Sequence, residues 1–218
     1  MDTTTAGTAV QILPKGLQGL LSVPPQARGV VVFAHGSGSG RLSPRNQHVA
    51  AALRASGFAT LLLDLLTPEE EGDRRNVFDI PLLADRLGQA CRWLAGRPDT
   101  ADLAQGLFGA STGAGAALLA ASREGNAVQA VVSRGGRPDL AGPEALAEVI
   151  APTLLIVGSE DDDVVLLNEE AYGQLACAKQ LVLVPGAGHL FEEPGTLDEV
   201  VRLASDWFER YLAPPPTA

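Results

Sequence analysis

Short apolar, β-branched runs alternate with longer amphipathic stretches along almost the whole chain. The run GVVVFA at 29–34 is continuous and apolar, the mark of a strand covered on both faces. Further strands of this kind are expected at 58–63, 103–108, 128–133, 153–158 and 180–184. Two shorter strands, 9–13 and 17–23, are joined by Pro14, Lys15 and Gly16 and read as an antiparallel hairpin. Between the buried strands the spacing changes to three and four. Ile80, Leu83, Leu87, Cys91 and Leu94 give one apolar stripe and predict a helix over 79–95. Helices are also expected at 44–56, stopped by Gly57, and at 114–122, 143–149, 169–177 and 197–212. Repeated strand–helix–strand units require a mostly parallel sheet with helices on both faces. The expectation is an α/β fold in a single domain over 1–218, with no separate lid domain and a frayed proline-rich tail at 213–218. The charged, aperiodic stretch at 67–76 reads as a solvated loop or, alternatively, a mobile flap beside a site.

Composition narrows the class. With 46% hydrophobic and 19% charged residues, the chain is globular. Its net charge of −10, without a basic stripe, argues against nucleic-acid and anionic-membrane partners. No apolar run approaches the ~18–20 residues of a membrane span, and the first residues carry no secretory signal, so a cytoplasmic location is expected. Cys91 and Cys177 then read as reduced thiols.

The chemistry centres on GASTG at 109–113, a G-x-S-x-G pentapeptide between a strand-like run and a small, apolar, helix-like run. In that setting it reads as a nucleophile elbow, with Ser111 on a tight turn and the following helix directing its positive end at the reaction. A serine hydroxyl needs a base, and the base an orienting acid, in the chain order serine, acid, histidine. Of the three histidines only His189 follows Ser111, in a glycine-rich loop after the last strand; His35 is read as a loop brace. The acid belongs on the loop after the 153–158 strand, where Glu160, Asp161, Asp162 and Asp163 stand together. The spacing G-x-x-D-x-x-V from Gly158 to Val164 favours Asp161, with Asp162 and Asp163 as alternatives. Backbone donors for an oxyanion are expected from Thr112 and from the HGSGSG loop at 35–40, with Ser37 preferred and Gly38 the alternative. A phosphate-loop reading of that stretch lacks the Walker lysine and the G-x-G-x-x-G spacing.

Arg41, Arg45, Arg134 and Arg137 all fall after predicted strands and are candidates for binding an acidic substrate group; the competing reading makes them loop ties or surface charge.

The strings VFAHGSGSG (32–40), FGASTGAG (108–115), VSRGGRPDL (132–140) and HLFEEP (189–194) resemble the α/β-hydrolase superfamily, and within it the small dienelactone hydrolase-like branch. The resemblance runs from about Gly16 to Leu212. It implies Ser111 as nucleophile, Asp161 as orienting acid, His189 as base and the Thr112 and Ser37 amides as oxyanion hole, with no metal or organic cofactor. Namesake enzymes of that branch use cysteine where this chain has serine, and neither Cys91 nor Cys177 lies near the elbow. The expected activity is hydrolysis of a small carboxylic ester or lactone through an acyl-enzyme. The same triad serves thioesterases, peptidases and acyltransferases, and a non-catalytic binding protein is the alternative outside enzymes.

Overall fold

The computed structural model describes residues 7–212. Eight strands form one sheet: β1 (Thr8–Ile12), β2 (Leu17–Ser22), β3 (Val30–Ala34), β4 (Ala59–Leu63), β5 (Gln105–Ala110), β6 (Val128–Arg134), β7 (Thr153–Gly158) and β8 (Lys179–Val184). Their order is β1-β2-β4-β3-β5-β6-β7-β8. β1 and β2 pair antiparallel, β2 pairs antiparallel with β4, and every later pairing is parallel. The hairpin-plus-parallel-sheet expectation holds.

Alternation along the strands explains why they read as unbroken apolar runs. Val30, Val32 and Ala34 belong to one core, while Val31 and Phe33 belong to the other. One face is covered by α4 (Ile80–Ala95) and α5 (Thr112–Glu124), through Leu83, Leu87, Ala116 and Ala117. α6 (Pro143–Glu148) and α7 (Asp162–Gln174) extend that layer. On the opposite face α1 (Pro44–Ala55) and α8 (Thr196–Tyr211) bring Val49, Leu53, Trp207 and Phe208 against Phe33, Phe58 and Phe108. Among the described residues no helix is long and apolar enough to cross a membrane. The tail expected to fray, 213–218, lies outside the described residues.

Three segments differ from expectation. The stretch at 67–76 is not a plain loop: it forms α2 (Pro68–Glu71) and α3 (Arg74–Val77). Thr67 and Glu70 close a capping box, and the other Glu70 oxygen takes Arg86 of α4 at 2.5 Å. Helices of four residues are too short to show a period, which is why the pattern is silent there. α7 starts at Asp162 rather than 169, because the run Val164–Leu167 masks the helical face of Val164, Asn168 and Ala171. Asp162 and Asp163 fill its first turn, where the helix dipole favours them, and Cys177 falls beyond its end. Finally, β5 runs two residues later than expected, carrying the sheet up to the elbow itself.

Candidate active site

β5 ends at Ala110 and α5 begins at Thr112, so Ser111 makes the whole turn alone. Its φ of 50° and ψ of −125° lie where L-residues are strained. The surroundings enforce that geometry. A Cβ at Gly109 would stand 2.5 Å from the Ala114 Cα, and one at Gly113 would stand 2.3 Å from the Ala34 carbonyl oxygen. Only glycine on either side lets helix, strand and loop close this tightly. The Ser111 carbonyl accepts from the N–H groups of Ala114 and Arg137, both at 3.0 Å, which pins the turn to the loop after β6.

His189 and Asp161 arrive from the loops after β8 and β7. His189 Nδ1 lies 2.7 Å from Asp161 Oδ2, a geometry in which Nδ1–H donates and Nε2 is left free. The two loops are tied together by Glu160 N–H donating to the Ala187 carbonyl at 2.9 Å and Gly186 N–H to Ser159 Oγ at 2.8 Å. Asp162 and Asp163 remain exposed in the first turn of α7, so among the three adjacent aspartates only Asp161 meets the histidine. Ser111 and His189 line one cleft of about 230 Å³ together with Gly36, Ser37, Ser43, Arg45, Asn46 and Arg134.

The other histidines are engaged elsewhere. His35 is buried: its Nε2 accepts from Leu65 N–H at 3.1 Å and its Nδ1 lies 2.9 Å from the Gly36 carbonyl, so it braces the loop after β3. His48 pairs with Asp198 on the surface between α1 and α8.

The oxyanion loop departs in one respect from expectation. Ser37 N–H donates to the Thr112 hydroxyl at 3.0 Å, so this donor is held by the neighbouring side chain rather than left open. Thr112 is the first residue of α5, and its own N–H has no partner within the helix. The loop presses directly on Ser111, since a Cβ at Gly36 would stand 2.9 Å from the Ser111 Cβ.

The four arginines divide. Arg41 closes on Asp64 through both backbone and side chain, and Arg137 forms a two-pronged pair with Asp139. Arg41 ties two loops, Arg137 braces its own turn, and neither lines the cleft. Arg45 and Arg134 do line it. Arg45 reaches the exposed Glu192 at 3.1 Å. Arg134 is buried and meets no carboxylate among the described residues. Burial, and then the nearby Arg45 charge, bring its pKa down to about 10, so it remains a cation at neutral pH.

A second cavity of about 280 Å³ adjoins the first and shares Gly36, Ser37 and Ser39 with it. Leu66, Val77, Leu83 and Glu71 line it. Sequence reasoning missed this lobe because it depends on α3 and on how α4 packs. Asn46 was missed as well: its only signal is a polar residue on the buried face of α1.

Residues 27–202 match the family model described as an alpha/beta hydrolase domain. The chain belongs to the α/β hydrolase family. Among solved structures, this α/β hydrolase is similar to a dienelactone hydrolase from Anabaena variabilis, with 56% identity and a TM-score of 0.91, covering 94% of this chain and 97% of that one. The Est1E protein of Butyrivibrio proteoclasticus is 13% identical with a TM-score of 0.80, over 94% and 98% of the two chains, which speaks to the fold alone. A Mycobacterium tuberculosis protein named provisionally as a phosphoribosyl transferase is 60% identical over 202 residues, 93% of this chain but 45% of that protein. The α/β hydrolase thus spans about half the length of that relative. The match to the dienelactone hydrolase places it in the dienelactone hydrolase-like group, with serine at the elbow.

Proposed function

We propose that this α/β hydrolase is a serine hydrolase of small carboxylic esters or lactones, working through an acyl-enzyme. The observation that carries the reading is the 2.7 Å Asp161–His189 contact facing the same cleft as a strained Ser111. Asp161 holds His189 with its proton on Nδ1, leaving Nε2 to take the Ser111 proton as Oγ attacks the carbonyl carbon. The carbonyl oxygen becomes an oxyanion at the start of α5, where the Thr112 N–H and the helix dipole favour negative charge. The Ser37–Thr112 pair borders the same point and supplies the second donor once either group turns toward the oxygen. As the tetrahedral adduct collapses, His189 passes its proton to the departing alcohol oxygen. A water then adds to the acyl-enzyme by the same route, giving the acid and free Ser111. Free cysteines at 91 and 177 suit a reduced, cytoplasmic setting, with the domain working as one hydrolase unit on a small molecule.

The transfer activity in the name of the Mycobacterium tuberculosis relative belongs, on this reading, to the part of that protein which this chain does not span. The supporting point is coverage: more than half of that protein lies outside the match.

Fluorophosphonate labelling tests the proposal. Wild-type protein should be modified at Ser111, and Ser111→Ala should not be. Folded wild-type protein that resists the reagent sinks the hydrolase reading.

A further inference from the structure

The backbone turn that leaves β6 meets the elements of all three proposed triad residues. Ser111 is bonded to it on both sides: its N–H donates to the Arg134 carbonyl at 3.4 Å, and its carbonyl accepts from Arg137 N–H at 3.0 Å. The His189 loop lies against it, since a Cβ at Gly135 would stand 2.9 Å from the His189 carbonyl oxygen. Asp161 is linked to it from further away. Asp161 caps α7, and two turns along that helix Asn168 Nδ2 donates to the Gly136 carbonyl at 2.9 Å. Gly136 is itself wedged. A Cβ there would stand 2.5 Å from the Ala114 Cβ, so its carbonyl is fixed relative to the helix that begins at the elbow.

Asn168 is an odd residue for its place. It is 0% exposed and sits in the middle of the buried face of α7, between Val164 and Ala171. Nδ2 also donates to the Val164 carbonyl of its own helix at 2.8 Å, while Oδ1 is buried with no partner. A side chain with a buried, unpaired oxygen is a poor choice for packing alone. The rest of that face is one valine and one alanine, a small surface that resists sliding or turning of the helix only weakly. A directional bond to a fixed carbonyl supplies the resistance.

We infer that Asn168 is a positioning residue of the site: by tying α7 to the Gly136 carbonyl it sets where Asp161, at the head of that helix, meets His189. The inference rests on the hydrolase reading of Ser111, Asp161 and His189, and adds to it a residue two helical turns from the acid. The mechanical link is short. Val165 N–H donates to the Asp161 carbonyl at 2.9 Å, so Asp161 moves with the first turn of α7. The contact to be placed, His189 Nδ1 to Asp161 Oδ2, is 2.7 Å long and leaves little room for slip. The same turn holds Ser111 by two backbone bonds, so Asn168 gives Asp161 and Ser111 a common support rather than leaving each to its own loop.

Two readouts decide it. Asn168→Ala removes the tie, and Asn168→Ser keeps a bond to the Val164 carbonyl while falling short of Gly136. Both should lower kcat on 4-nitrophenyl pentanoate by about 10- to 100-fold, the value of a slip of up to about 1 Å at reacting groups, with KM within about twofold. Ala171→Gly is the control. It weakens α7 through lost helix propensity, leaves the Gly136 bond in place and should keep the wild-type kcat. The second readout needs no turnover. Proton NMR of wild-type protein should show a resonance far downfield of the amides, assigned to His189 Nδ1–H by its loss in Asp161→Asn. It should move upfield or broaden in both Asn168 variants and stay in place in Ala171→Gly. Wild-type kcat in either Asn168 variant, an unmoved downfield proton, or an equal loss in Ala171→Gly overturns the inference. Failure of both Asn168 variants to fold overturns it too, by making the bond a requirement of the fold alone. Protein that turns over no ester and resists fluorophosphonate would instead remove the hydrolase reading, and the downfield proton would still decide whether Asn168 places Asp161.

Discussion

Replacing Gly113 by alanine tests the elbow without touching a reactive group. The new methyl carbon would stand 2.3 Å from the Ala34 carbonyl oxygen and 2.5 Å from that of His35, against an ordinary contact of 3.4 Å or more. Something must therefore move by about 1 Å. Ala34 cannot yield easily, because β3 is paired on both sides, to β4 and β5. The displacement falls on the elbow and the first turn of α5. Overpacking of this kind costs roughly 1–3 kcal/mol and occasionally more, and the better helix propensity of alanine returns at most about 1 kcal/mol. A shift of about 1 Å at a reacting atom is worth roughly 100-fold in rate. Gly113→Ala should accordingly lose about 1–2 kcal/mol of unfolding free energy, read as a lower urea midpoint, and cut ester turnover by about two orders of magnitude. Gly173→Ala is the matched control. It sits exposed near the end of α7 with nothing within 4 Å of its Cβ position, and should gain up to about 1 kcal/mol with unchanged turnover. Urea unfolding followed by circular dichroism, with kcat on a 4-nitrophenyl ester, reads both variants. Wild-type stability and turnover in Gly113→Ala would refute the close approach of helix and loop on which the elbow depends.

Further outcomes follow from the same geometry. Asp161→Asn should fold normally and lose about 10³–10⁴ in kcat, since the amide favours the wrong histidine tautomer, whereas Asp162→Asn and Asp163→Asn should stay within twofold of wild type in a steady-state assay. Arg134→Met should melt at or above the wild-type temperature, because it removes a buried cation that has no counter-charge; its folded pKa, lowered to about 10 from 12.5, means that the charged form opposes folding at every pH below about 10 and that this opposition fades as pH rises beyond it. A melting temperature well below wild type would contradict that sign. Burial pushes the Cys91 thiol up to about 12, so a thiol-reactive dye should modify Cys177 in native protein and reach Cys91 only on unfolding, as mass spectrometry of the labelled peptides would read.

The sequence pattern made much of this readable in advance, for identifiable reasons. β3, β6 and β7 are buried on both faces, so their apolar runs are continuous and easily seen. Ser111 and His189 are legible because an elbow needs glycines at fixed offsets and only one histidine follows it. Asp161 is legible only as a preference, since three adjacent aspartates differ in direction and not in type. The division of the arginines is invisible in the chain. What separates Arg134 from Arg137 is an aspartate two residues on from one of them, and the burial of the other against Asn46 and Phe191. The engagement of Ser37 N–H by Thr112 is equally hidden, being a contact across 75 positions of sequence.

The proposed catalytic groups sit at very different depths in the sheet. Ser111 follows β5, a wholly buried strand at the centre, whereas His189 follows β8, the edge strand, most of whose residues are only partly covered. Edges open before centres do. Hydrogen exchange should therefore find the Lys179–Val184 amides opening at a lower free energy than those of β5. A warmed or mildly denatured sample would first lose His189 from the cleft while Ser111, the sheet and most of its circular dichroism persist. Thermal inactivation of this protein should be gradual, partial in structure and reversible well below the temperature at which the molecule as a whole unfolds.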